Sequence, residues 1–183
     1  FVYTPKGEIM ELSAGSNPLD FAFHIHTDLG YQCVGAKVNG RMVPFTYVLQ
    51  NGDTVEIRTS KRSKGPSLDW LNPELGYVHT ANARAKIRLW FRRQERAEHI
   101  QRGRQVLERE SKRLGVPLDP QEIAPLFKFE DTEHLLVDLG NGNLGIHQVT
   151  SRLMPPDERP RTTTTRPREQ DPHRVKVLGV GNV

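Results

Sequence analysis

Asp20-Phe21-Ala22-Phe23-His24-Ile25-His26-Thr27-Asp28-Leu29-Gly30 reads as a short capped helix, and the fold follows from what surrounds it. Asn17 stands at a cap position, Pro18 fits the first turn, and Gly30 can take a left-handed stop. Leu19, Ala22, Phe23 and His26 share one helical face, while Phe21, Ile25 and Leu29 lie four apart beside them. Two imidazoles near the end of so short and apolar a helix are unusual, because buried polar rings need partners. Phe1–Thr4 and Ile9–Leu12 precede it as short strand candidates joined by a turn at Pro5-Lys6-Gly7. Gln32–Val38 and Arg41–Val43 follow, flanking Asn39-Gly40, a type I′ hairpin signal. Thr54–Thr59 alternates Val55 and Ile57 with polar residues, as a half-buried strand does. A mixed sheet wrapped over one helix is a β-grasp, or ubiquitin-like, arrangement. The fold class expected is therefore α+β.

Beyond a polar, basic turn at Lys61–Pro66, Ala81–Leu114 carries a helical pattern with Ile87, Trp90, Ala97, Ile100 and Leu107 near one face. Gly103 and Gly115 punctuate it, so two helices, or one with a weak point, both fit. Glu122–Phe129, Glu130–Leu139 and Leu144–Leu153 read as further short helices, with a turn at Gly140-Asn141-Gly142-Asn143. Pro155–Pro172 holds five prolines and the run Thr162–Thr165 with almost no apolar residues, the composition of a disordered linker. Val175–Val183 resumes an apolar alternation. These readings divide the chain into a β-grasp domain (1–61), an all-α helical domain (62–154), a Pro/Thr-rich linker (155–173) and the start of another domain (174–183).

Within 183 residues, one medium or two small domains can be built. A piece of about 60 residues buries only roughly 60% of its unfolded surface, so the first domain alone is marginal. The start at Phe1 without Met, and the stop at Val183 within a strand pattern, read as a fragment of a longer protein. A single cysteine, Cys33, excludes a disulfide framework and fits a reducing cytoplasm. There is no signal-peptide pattern and no apolar run long enough to span a bilayer, so no membrane partner is expected. The net charge of +4 hides an uneven distribution. Residues 1–60 are at −2, 81–113 at +7 and 114–150 at −5. Such block charge suits a segment facing a polyanion, and equally a solvated, arginine-rich helix.

Several words carry a family resemblance. They are Phe1-Val2-Tyr3-Thr4-Pro5-Lys6-Gly7, Leu19-Asp20-Phe21-Ala22 with Ile25-His26, Gly35-Ala36-Lys37-Val38-Asn39-Gly40-Arg41, and Gly52-Asp53 with Val55-Glu56-Ile57. Pro66-Ser67, Asp69-Trp70-Leu71 and Ala85-Lys86-Ile87 continue the series. In this order and spacing the chain resembles the TGS domain and following helical domain of RelA/SpoT-type (p)ppGpp synthetases. The insertion Asn72–Tyr77 is similar to the dedicated, RelA-like synthetases, and Val177–Asn182 resembles the entry to their zinc-finger domain. The resemblance implies a β-grasp fold and a regulatory, RNA-binding region that senses deacylated tRNA in the ribosomal A site during the stringent response. It implies His26 at the tRNA 3′ end, ribosomal RNA against the helical domain, a cytoplasmic, ribosome-associated protein, and a pyrophosphokinase domain lying N-terminal to this region.

Each site has a plainer reading beside it. A neutral imidazole at His26 can stack on a base or donate to a ribose oxygen, or can be a core histidine bonded to a carbonyl. Lys37, Asn39 and Arg41 sit at the hairpin tip beside the helix end, where they could deliver charge to an RNA end; turn chemistry alone accounts for Asn39. Arg84, Arg88, Arg92 and Arg96 recur every four residues, a stripe suited to phosphate and also to solvent. His24 with Cys33 or His79 lacks the spacing of a metal site, and the two tryptophans read as core. No phosphate loop, metal-hydrolase pair or activated nucleophile is present, so no catalytic residue, metal or cofactor is expected in this region. Phe23, Leu68 and Tyr31 depart from the family's usual Tyr, Arg and His. The alternative reading is an autoinhibitory module whose acidic segment docks the catalytic half of the same chain. A TGS domain of another translation-linked protein is a third.

Overall fold

The hairpin predicted at Asn39-Gly40 forms with both residues at positive φ, 51° and 79°, as a type I′ turn demands. It joins β3 (Cys33–Val38) to β4 (Arg41–Val43), and β3 also pairs antiparallel with β5 (Val55–Thr59). Ahead of them, β1 (Val2–Tyr3) pairs antiparallel with β2 (Ile9–Met10), and a parallel bridge between Tyr3 and Thr54 attaches β1 beside β5. The computed structural model describes residues 1–154, so the linker and the final segment lie outside the described residues. The architecture is α+β: a β-grasp followed by helices.

The single helix expected over Asp20–Gly30 is two. Helix α1 (Pro18–Ile25) starts at the predicted Asn17 cap, and α2 (Thr27–Tyr31) follows after an extended His26 (φ −159°, ψ 140°). Gly30 lies inside α2 and makes no left-handed stop. Its lack of a side chain serves packing, since a Cβ there would lie 2.3 Å from the Phe23 ring. Two cores meet at α1: Phe21 packs with Val2, Val38 and Val55, while Leu19 and Phe23 pack with Cys33, Trp70, Val78, Ala83 and Ile87. Residues well beyond the last strand thus complete the small domain's core, which offsets the marginal burial expected of about 60 residues. Trp70 is buried as predicted, and Trp90 lies against Gly65.

Helix α3 (Ala81–Leu114) runs unbroken through Gly103 and ends at a left-handed Gly115 (φ 67°). At 1.5 Å per residue it is about 50 Å long. It buries two different faces. Ala83 and Ile87 enter the β-grasp core, whereas Gly103, Leu107 and Glu110 are buried farther along. At 100° per residue, Ile87 and Gly103 lie about 160° apart around the axis, so the two modules sit on nearly opposite sides. Between them Arg92, Arg93, Gln94, Glu95, Ala97 and Glu98 are all exposed. A helix polar all round is stable where it bridges two packed units. Ala97, expected on the apolar face, is therefore solvated.

The second core is built by α4 (Pro120–Leu126), α5 (Thr132–Asn141) and α6 (Ile146–Leu153), which bury Ile123, Leu135, Leu136, Leu139 and Val149 against Leu107. Helices α3 and α5 touch backbone to backbone. A Cβ on Gly103 would lie 2.0 Å from the Leu136 carbonyl oxygen, and one on Gly140 would lie 1.8 Å from that of His99. Gly140, expected in a turn, is thus within α5, and Gly103 is a contact point rather than a weak one. Among the described residues no helix is long and apolar enough to cross a membrane.

Candidate functional site

His26 is an elbow between two helices. Its N–H donates to the Ala22 carbonyl (3.1 Å), closing α1, and its Nδ1 accepts the Asp28 N–H (3.2 Å), capping α2. With Nδ1 as acceptor, the neutral ring carries its proton on Nε2. The side chain is 69% exposed, so the ring is accessible to a ligand. The plain alternative of a core histidine does not describe this residue. His24 is also exposed, on the preceding turn.

The hairpin residues lie elsewhere. Asn17 Nδ2 donates to the Tyr47 carbonyl, the Tyr47 hydroxyl to Asp53, and Asn39 Nδ2 to Asp53, so the hairpin tip neighbours the N-terminal end of α1. His26 is at the other end. The length of β3, roughly 17 Å, separates the two regions. Asn39 spends both ends of its amide on structure, donating to Asp53 and accepting the Thr54 N–H. Lys37 alternates with buried Ala36 and Val38, so it points to the sheet face away from α1, between Met42 and Glu56. Arg41 is exposed at the tip. The structure does not gather Lys37, Asn39 and Arg41 around His26.

The stripe on α3 is divided. Arg84 donates to the His79 carbonyl (2.8 Å), and Arg96 reaches Glu133 of α5 (3.4 Å). Arg88 and Arg92 are exposed and have no ion-pair partner among the described residues. From Ile87, they lie about 100° and 140° around the helix, turned away from the β-grasp.

Two features escaped sequence reasoning. The buried Asp20 carboxylate accepts four donors besides the second contact of one of them: the N–H groups of Asn17 (2.8 Å), His79 (2.9 Å) and Thr80 (2.9 Å), and the Thr80 hydroxyl (2.9 Å). It thereby sits at the N-termini of both α1 and α3, where a negative charge is favoured. Second, Lys86 Nζ donates to the Phe23 carbonyl (2.9 Å), while the Tyr31 hydroxyl donates to the Lys86 carbonyl (2.6 Å). Only the Asn17/Asp20 spacing, a capping-box pattern, could have flagged either. Burial pushes the Cys33 thiol up to about 11, which keeps it protonated and unreactive. Among the described residues no three His, Cys, Asp or Glu side chains converge as a metal site would require.

Residues 1–59 match the TGS domain and residues 90–154 the RelA/SpoT AH domain. The GTP pyrophosphokinase of Escherichia coli (strain K12) is 44% identical over 200 residues, covering 100% of this chain and 27% of that protein. The GTP pyrophosphokinase of Haemophilus influenzae is 44% identical over 160 residues, 84% of this chain and 21% of its own length. The bifunctional (p)ppGpp synthase/hydrolase RelA of Mycobacterium tuberculosis is 36% identical over 204 residues, 100% of this chain and 27% of its own. The chain thus spans about a quarter of the length of the curated relatives it matches.

Proposed function

This chain belongs to the RelA/SpoT family, and on that premise we propose that it is the RNA-sensing regulatory region of a GTP pyrophosphokinase, reading deacylated tRNA in the ribosomal A site to control (p)ppGpp synthesis. The observation that carries this reading is the His26 elbow: an exposed imidazole whose Nδ1 accepts the Asp28 N–H, which leaves Nε2 for a ligand. Such a ring can stack on a terminal base and donate to a ribose oxygen. An amino acid esterified to the terminal hydroxyl would obstruct that contact. A site that bonds the free hydroxyl also leaves a polar group unpaired when the hydroxyl is blocked, which adds discrimination. The region acts in the cytoplasm, on the ribosome.

Two substitutions separate ring from cap. His26→Asn keeps a good N-cap acceptor for α2 but removes the aromatic face. It will weaken binding of deacylated tRNA by about 1–3 kcal/mol, the worth of one stacked base. His24→Ala will change it far less. Equal affinities for wild type and His26→Asn in a filter-binding titration refute the site.

Arg88 and Arg92 supply a second, sequence-independent grip on ribosomal RNA phosphates, since they alone of the four stripe residues are unengaged among the described residues. Changing both to Gln will reduce the slope of log K against log salt by about 1.5, at roughly 0.7–0.9 per phosphate contact. Arg84→Gln and Arg96→Gln will reduce it less. The Arg96–Glu133 pair favours a second reading, in which acidic residues of the helical module also dock basic surfaces of the parent enzyme. Under that reading the salt slope stays unchanged in the Arg88/Arg92 variant, and docking to the catalytic half weakens instead when acidic residues of the 114–150 segment are neutralised.

A further inference from the structure

The abrupt end of α1 after Ile25 limits the helical N–H groups available to its last carbonyls, which border His26. Ala22 O is taken by the His26 N–H itself. Phe23 O is taken by Lys86 Nζ, a cation placed at the helix C-terminus, where the dipole favours it. Lys86 belongs to α3, 63 residues farther on. Its own carbonyl accepts the Tyr31 hydroxyl from the last residue of α2. The Tyr31 ring packs edge-on against Phe23, with centroids 5.6 Å apart and planes at 76°. Gly30 lies against the same Phe23 ring. Both helices flanking His26 are therefore fastened to one another and to α3, while the imidazole stays exposed.

We propose that Tyr31 and Lys86 are positioning residues for His26: they clasp the α1–α2 elbow, hold the ring in its Nε2–H tautomer, and so set affinity for an RNA end that they do not touch. This rests on the reading of His26 as an RNA contact. It adds that the site belongs jointly to the β-grasp and to the first turns of α3.

The test uses the whole 183-residue chain. Tyr31→Phe removes only a hydroxyl, Lys86→Met keeps the stem and removes the donor, and Lys86→Arg restores a donor. Ring-nitrogen chemical shifts report the His26 tautomer, and a titration with deacylated tRNA reports affinity. In the double variant Tyr31→Phe/Lys86→Met, the shifts will move toward a tautomer mixture. Affinity will fall about fivefold, the scale of one lost hydrogen bond. Lys86→Arg will stay near wild type on both readouts, and in a His26→Asn background the double variant will cost nothing further. Unchanged ring shifts overturn the proposal, as does an equal loss of affinity in the His26→Asn background. If His26→Asn alone leaves tRNA binding intact, the RNA reading of His26 fails, and the ring shifts still decide whether the clasp exists. Should the double variant unfold, Tyr31→Phe alone carries the same comparison.

Discussion

Gly103→Ala will destabilise the helical module, against the intrinsic preference of helices for alanine. Propensity favours Ala over Gly in a helix interior by about 1 kcal/mol. The contact opposes it, because the added Cβ would lie 2.0 Å from the Leu136 carbonyl oxygen. That neighbour is backbone, so no rotamer change relieves the clash. Separating α3 from α5 instead loosens the packing of Leu107, Leu135, Leu136 and Leu139. A net loss of about 2–3 kcal/mol is expected, with Gly103→Val worse, since overpacking that shifts backbone costs this much. Gly140→Ala will behave alike, as it meets the His99 carbonyl at 1.8 Å. The loss will be confined to the second core. Residues 92–95 and 97–98 of α3 are exposed, so no core packing carries the disruption to Phe23 and Trp70. Hydrogen exchange on both halves of the chain measures this. A Gly103→Ala variant more stable than wild type would contradict the contact.

The second large effect concerns Asp20. Asp20→Ala leaves three N–H groups and one hydroxyl without their acceptor in a site where Asp20 is 2% exposed. Unpaired buried donors cost about 1–3 kcal/mol each before water enters, so the loss of this network will amount to several times the effect of an ordinary hydrogen bond. Asp20→Asn keeps one acceptor oxygen and turns an amide toward the remaining donors, so it will cost less than Asp20→Ala but more than a surface change. The damage will extend to α3. The Thr80 hydroxyl donates to Asp20 while accepting from Ala83 N (3.2 Å), so one carboxylate organises the cap of α3 as well as that of α1. Urea unfolding reads the total. Exchange at the Ala83 and Arg84 amides reads the cap, and full protection there in Asp20→Ala would show that the network is dispensable.

Both effects run through the same design, a long helix with a module on each side. Ala83 and Ile87 fix its first turns to the β-grasp, and Gly103 and Leu107 fix its last third to the bundle. The RNA contacts proposed for His26, Arg88 and Arg92 are distributed along this one frame. The spacing between an RNA end and an RNA backbone is then set by a helix and not by a flexible tether.

What the chain's sequence determined by itself is local. Asn39-Gly40 can satisfy a type I′ turn without any neighbour, Val55 and Ile57 alternate with the sheet's own period, and Asn17-Pro18 begins a helix wherever it lies. These signals, with the family's words, sufficed for the β-grasp, for the extent of α3 and for the four-residue period of the arginine stripe. Tertiary structure decided the rest. At the break beside His26, Phe23 meets Gly30, Tyr31 and Lys86, and the last of these is 63 residues away. Asp20 finds His79 and Thr80 at separations of 59 and 60. Gly103 looks like a helix breaker until Leu136 is laid across it. The four arginines are equivalent by spacing, yet His79 and Glu133 engage two of them. His26 and the hairpin tip share one small domain but occupy opposite ends of α1. In each case the deciding partner is brought close only by chain closure, and periodicity and propensity, which act over a few residues, hold no information about which distant groups will meet.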